Sequence, residues 1–130
     1  MAVTAKTFEY AVEVDGAGRF TIPGGGQLVS PEGWSADHLL LAALVRCSIE
    51  SLVYHARRAG SEVTAQGSAH GTITKSGEDD RYRFVEIDVQ VDAQMTPRLE
   101  DAEALAAKAE RDCFVGASLT VKPRYTWHVS

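Results

Sequence analysis

The sequence predicts an α+β fold: a mostly antiparallel sheet, one long buried central helix and a second, shorter helix. Three patterns carry this. Residues 35–60 form one continuous helical segment that opens on the unbroken apolar run Leu39 to Val45. Residues 61–75 and 81–93 keep a period of two on either side of the turn "SGEDD". Residues 97–110 then return to helical spacing.

Phe8, Tyr10, Val12 and Val14 alternate with Glu9, Ala11, Glu13 and Asp15, which predicts a first strand with one wet face. "DGAG" (15–18) is a turn, and "RFTIPGGGQLVS" reads as further short strands around a glycine-rich bend. Gly24 to Gly26 fit neither phosphate-loop spacing. Ser35 is the expected N-cap of the long helix, Asp37 favours its dipole, and Gly60 closes it. A helix of about 24 residues is roughly 36 Å long. Its first half is apolar all round, so a chain this short needs a second subunit to cover it.

In residues 61–75 the small or apolar positions Val63, Ala65, Gly67, Ala69, Gly71 and Ile73 share one face, as a strand lying close against another element requires. In "RYRFVEIDVQVDA" Tyr82 and Phe84 have one parity and Val85, Ile87, Val89 and Val91 the other. A bulge at Phe84–Val85 brings both sets to the core. Thr96-Pro97 predicts the second helix start, with Leu99, Ala102, Leu105, Ala106 and Ala109 as its apolar stripe. "FVGASLTVKP" reads as irregular, and the alternation Val121 to Val129 as a last strand.

With 130 residues the chain is expected to form one domain, 1–130. A formal charge of −5 and the lack of a basic stripe argue against nucleic-acid binding. The start "MAVTAKTFEY" lacks a secretory apolar region, and no run reaches the length of about 18–20 apolar residues that spans a membrane. The expectation is a cytoplasmic protein with no membrane partner.

Two cysteines in a reducing compartment are not a permanent bridge. Cys47, in the long helix, could be a small hydrophobe, a metal ligand, half of a redox pair or a nucleophile. Arg46 and Glu50 beside it are unusual in a plain core helix. Cys113 follows 66 residues later, at the end of the second helix. No Cys or His pair has zinc spacing, so no metal is expected. His55 is eight residues from Cys47, about 12 Å along the helix and too far for a direct base. His70 and His128 fall on wet parities, and "GWSADH" is no nucleophile elbow.

The segments "PEGWSADHLLLAALVRC" and "AERDCFVGASLTVKP" resemble the OsmC/Ohr family of osmotically inducible and organic-hydroperoxide-resistance proteins. The order of elements fits as well, so the resemblance covers nearly the whole chain. It implies an intertwined homodimer, with Cys47 as peroxidatic and Cys113 as resolving cysteine. The family's glutamate ten residues before the first cysteine falls on Asp37. Its thiolate-stabilising arginine lies in the N-terminal strand region, where Arg19 is the one arginine upstream of the helix; Arg46 is the alternative guanidinium for Cys47. Phe114 stands where the family has proline after the second cysteine. Asp37 is about 15 Å from Cys47 along one helix, so it would serve the partner's thiol across paired antiparallel helices.

The resemblance further implies reduction of organic hydroperoxides, alkyl or lipid. The Cys47 thiolate becomes a sulfenic acid, Cys113 closes a disulfide, and a dithiol reductant, the lipoyl type included, restores both; no cofactor is involved. Two other readings stand beside it. One is a non-peroxidatic OsmC-like protein that binds a small apolar ligand at the dimer interface. The other is a hot-dog-type acyl thioesterase using Asp37 or Glu50, against which the two-helix order argues.

Overall fold

The structure is a computed structural model that describes residues 5–29 and 31–130, divided into two units at Ser35. In the first unit β1 (Glu13–Val14), β2 (Arg19–Thr21) and β3 (Gln27–Val29) form an antiparallel sheet in that order. The β1–β2 turn is the expected "DGAG". Asp15 Oδ1 accepts the amides of Ala17 and Arg19 at 2.9 and 3.0 Å, and Gly18 supplies a positive φ of 79°. The first strand is much shorter than its alternation predicts. Its two residues pair with Thr21 and Phe20, where β2 itself is only three residues long. Residues 5–12 are not assigned to a strand.

In the second unit α1 (Ala36–Arg58) leads into the hairpin of β4 (Glu62–Lys75) and β5 (Tyr82–Thr96). Then follow α2 (Ala102–Arg111), the single turn α3 (Phe114–Ala117) and β6 (Arg124–Val129). The sheet order is β4-β5-β6, antiparallel between β4 and β5 and parallel between β5 and β6. A parallel neighbour needs a crossover, which α2 and α3 supply. The α+β class and the largely antiparallel pairing therefore hold.

Gly60 closes α1 as predicted. Its φ is +88°, its amide donates to the Arg57 carbonyl at 3.0 Å, and the Ser61 amide donates to the Ala56 carbonyl at 2.9 Å. The buried stripe of α1 is Leu44, Ser48, Leu52 and Ala56, four residues apart. The single chain covers only part of the helix: Ala42, Ala43, Arg46 and Glu50 are exposed in it. By length and composition alone α1 is long and apolar enough to cross a membrane, but it packs as a core helix against β4, α2 and α3.

The small residues of β4 have the predicted purpose. A Cβ on Gly67 would stand 2.7 Å from the Gln90 carbonyl oxygen and 3.0 Å from Val45 Cγ1. One on Gly71 would meet the Phe84 ring at 2.5 Å and Leu41 Cδ2 at 3.3 Å. The bulge also lies where it was expected: Thr72 pairs with Glu86 and Ile73 with Phe84, so Val85 is the extra residue. It turns Phe84 onto the core, while Tyr82 and Val85 remain exposed. Ile87, Val89, Val91, Ala93 and Met95 fill the core face of β5.

The second helix starts later than Thr96-Pro97 suggests. Thr96 still belongs to the ladder, paired with Glu62, so it cannot cap a helix. The Thr96-Pro97 bond is cis, and the Pro97 carbonyl accepts the Ser61 hydroxyl at 2.7 Å. Asp101 precedes the helix instead. Leu105, Ala106 and Ala109 are buried, with Leu99 and Ala102 packed beside the core. The segment read as irregular contains α3, with Cys113 at its N-cap.

Gly67→Ala should destabilise the second unit by about 1–3 kcal/mol, the usual cost of overpacking. A urea midpoint equal to that of the parent would show that α1 does not need this close approach.

Candidate thiol site

Helical phase assigns three different surroundings to three adjacent residues. Ser48 lies in the buried stripe, Cys47 is half-buried one residue before it, and Arg46 is on the outside. Arg46 donates to Glu50 at 2.8 Å, with side chains 84% and 64% exposed, so this pair is a surface ion pair within the single chain. Cys113 enters from the far side of the core, at the α2–α3 junction, fully buried.

The fold brings the two cysteines together, and both are free thiols. Burial pushes the Cys47 thiol up from its ordinary value. The Val115 and Phe114 backbone amides pull against this, while the Cys113 thiol raises it further by hydrogen bonding and by charge. None of these influences is a cation.

Three hydroxyl and amide groups surround the second sulfur. The Gly116 amide donates to Cys113 Sγ at 3.4 Å, which caps α3. Ser48 Oγ lies 3.6 Å from the same sulfur and 3.0 Å from the Tyr125 hydroxyl, and it donates to the Leu44 carbonyl at 2.8 Å. Tyr125 stacks on Trp127, with centroids 5.4 Å apart. Burial, opposed by the Ser48 bond and assisted by Cys113, pushes the Tyr125 phenol up to about 12. Ser48 and Tyr125 escaped the sequence reading, although a hydroxyl in an otherwise apolar i, i+4 stripe and an inward-facing tyrosine are both visible there.

His55 is not aimed at a thiol. Its Nε2 is 2.8 Å from Asp112 Oδ2, which ties α1 to the residue before Cys113. Arg111 holds the same carboxylate at 2.8 and 3.0 Å. Hydrogen bonding from Arg111 first, and from His55 after it, keeps the Asp112 carboxyl below its ordinary value. Sequence gives no signal for this pairing, since the partners are 57 residues apart.

The remaining candidates stand elsewhere. Arg19 Nε donates to Asp15 Oδ2 at 2.8 Å inside the first-unit hairpin. Asp37 is exposed in the first turn of α1. His70 and His128 are exposed as predicted. Among the described residues no group of three or more His, Cys, Asp or Glu could hold a metal ion.

The class defined so far is an α+β protein with two free thiols gathered between a long helix and a one-turn helix. Comparison with known proteins makes it specific. The sequence model of the OsmC-like protein family matches residues 25–128, and the chain belongs to that family. Solved structures share the fold. An OsmC-like protein of unknown function from Vibrio cholerae superposes with a TM-score of 0.76 at 15% identity, over 93% of this chain and 99% of that one. The organic hydroperoxide resistance protein OhrB of Bacillus subtilis gives 0.60 at 18%, over 95% and 98%. An organic hydroperoxide resistance protein from Legionella pneumophila, titled a predicted redox protein, gives 0.62 at 18%, over 97% and 99%. No curated protein matches the sequence.

Asp112→Asn should test the strap. A carboxyl held low in the folded state contributes stability that is present above its unfolded value of about 3.9 and lost as pH falls through the folded one. The side chain is 35% exposed, so solvent screening limits the loss at pH 7 to roughly 1 kcal/mol or less. Urea midpoints should differ at pH 7 and converge as pH falls below about 3; a constant difference would mean that the charge plays no part.

Proposed function

We propose that the protein is a cysteine-based peroxidase for organic hydroperoxides, alkyl or lipid, working through Cys47 and Cys113. The observation that carries this reading is the meeting of the two thiols, one half-buried and one fully buried, in a chain of the OsmC-like family. The Cys47 thiolate attacks the distal peroxide oxygen. The O–O bond breaks, the alcohol leaves, and Cys47 becomes a sulfenic acid. Cys113 displaces hydroxide from that sulfur, giving a disulfide and water. A dithiol, of the lipoyl type among others, then returns both cysteines to thiols by exchange.

The reaction needs a thiolate, while the surroundings of Cys47 favour the thiol. The reading therefore requires a guanidinium at Cys47, a role that falls to Arg19, with Asp37 of a second copy positioning it. It includes a homodimer. Tyr10, Val12, Val14, Leu28 and Val29 are exposed apolar residues in the first unit, and Tyr54 is another on the open face of α1. A second copy covering them accounts for both. The family match runs through both units, which supports reading the chain as one domain. Free thiols suit the cytoplasm, and the reading involves neither nucleic acid nor membrane.

A second reading is binding of a small apolar ligand with inert thiols. The upward push on Cys47 favours it.

One equivalent of cumene hydroperoxide separates the two. The peroxidase reading expects the intact mass to fall by about two units with loss of both thiols, and Cys113→Ser to stop at the sulfenic acid of Cys47. Unchanged mass, with both thiols titratable after unfolding, would move the assignment to ligand binding.

A further inference from the structure

A resolving thiol must shed its proton before it attacks, yet Cys113 has no exposed surface. Its proton therefore needs an acceptor, and its sulfur donors, inside the protein itself. The structure holds such donors in a particular state. A serine hydroxyl has one proton and two lone pairs. The Ser48 proton goes to the Leu44 carbonyl at 2.8 Å. Ser48 Oγ is then an acceptor towards its other neighbours. The Tyr125 O–H donates to it across 3.0 Å, and the Cys113 S–H points to it across 3.6 Å.

We propose that Ser48 and Tyr125 are positioning residues for the second thiol, receiving the Cys113 S–H in the reduced state and serving as donors to its sulfur as the thiolate forms. The change needs only rotation about the Ser48 Cβ–Oγ bond, which turns its proton from Leu44 to Cys113 Sγ. Tyr125 continues to donate to Ser48, which strengthens the Ser48 donor, and the Gly116 amide is already aimed at the sulfur. The resulting thiolate attacks the Cys47 sulfenic acid. An Sγ–Sγ bond forms with the Cys113 electron pair, the Cys47 S–O bond breaks, and the departing hydroxide takes up the proton lost by Cys113 and leaves as water.

Tyr125 also connects the network to solvent. It lines a cleft of about 430 Å³ together with Glu110, Arg111, Gly116, Lys122 and Pro123. The titratable groups around the network are Cys47 on α1, Glu110 and Arg111 on α2, Asp112 at its end, and Lys122 before β6. From β5, Val89 opposes Tyr125 and brings no charge. Glu110 is engaged by the Trp127 indole at 3.2 Å. Because its phenol is pushed up to about 12, Tyr125 remains a donor throughout neutral pH.

The purpose of this network rests on the peroxidase reading, but its test does not. Cys47→Ser leaves Cys113 as the one thiol, and its alkylation by iodoacetamide can be followed by intact mass across a pH series. With Tyr125→Phe added, the midpoint of the rate profile should rise by about one unit and the rate near neutrality should fall about tenfold, as the loss of one donor to a charged group predicts. Ser48→Ala should act in the same direction, and all variants should reach the same plateau at high pH. An unchanged midpoint with Tyr125→Phe, or a changed plateau at the same midpoint, would overturn the proposal. If Ser48→Ala fails to fold, Tyr125→Phe decides alone. No peroxide enters the measurement, so its failure is distinct from failure of the peroxidase reading.

Discussion

The second unit depends on how closely α1 can lie on β4. Two glycines four residues apart on one face of the strand remove the Cβ atoms that would otherwise hold the helix off. Val45 and Leu41, also four apart, occupy that space. The contact fixes the rotation of α1 about its axis as well as its depth. With that rotation set, Leu44, Ser48 and Leu52 enter the core, Cys47 comes to its margin facing α3, and Arg46 points away. A glycine pair on β4 thus decides which of three neighbouring residues is buried, half-buried or solvated.

The electrostatics of the thiol pair follow from this packing. Two thiols share a margin where burial opposes charge, so ionising one makes ionising the other harder. A thiolate at Cys47 would need positive charge from outside this set of contacts. The candidate guanidinium groups are already engaged: Arg46 with Glu50, Arg19 with Asp15, Arg111 with Asp112. These pairs are largely exposed, so solvent screens them.

Periodicity made much of the fold legible. The helix end at Gly60, the small face of β4, the Val85 bulge and the α2 stripe each arise from local geometry, in which a side chain's position along the chain fixes the side it faces. Where pairing decides, sequence failed. Residues 5–12 alternate like a strand but are not strand in the structure, and Thr96 pairs with Glu62 where its local sequence favours a cap. The site divides in the same way. The cysteines stand out because their chemistry is uncommon. Ser48, Asp112 and Tyr125 matter only through contacts 57 to 77 residues apart in the chain, which no local pattern encodes.

The two sulfurs also differ in what oxidation asks of them. Cys47 sits mid-way along a helix of 23 residues whose backbone bonds are made without it. Cys113 caps the one-turn α3 by accepting the Gly116 amide, and its thiol, with its proton, lies 3.6 Å from Ser48 Oγ. Bonding to Cys47 removes that proton but leaves sulfur lone pairs, so the amide contact can persist while the Ser48 contact must reverse direction. The hydroxyl that reads the protonation state of Cys113 would therefore read its oxidation state too. With Cys113 bonded to Cys47, as the peroxidase reading requires, Ser48 could only donate to the sulfur. A buried serine with one alternative acceptor, the Leu44 carbonyl, fits both states without exposing an unpaired group, which an alanine or a valine at the same point of the stripe could not do.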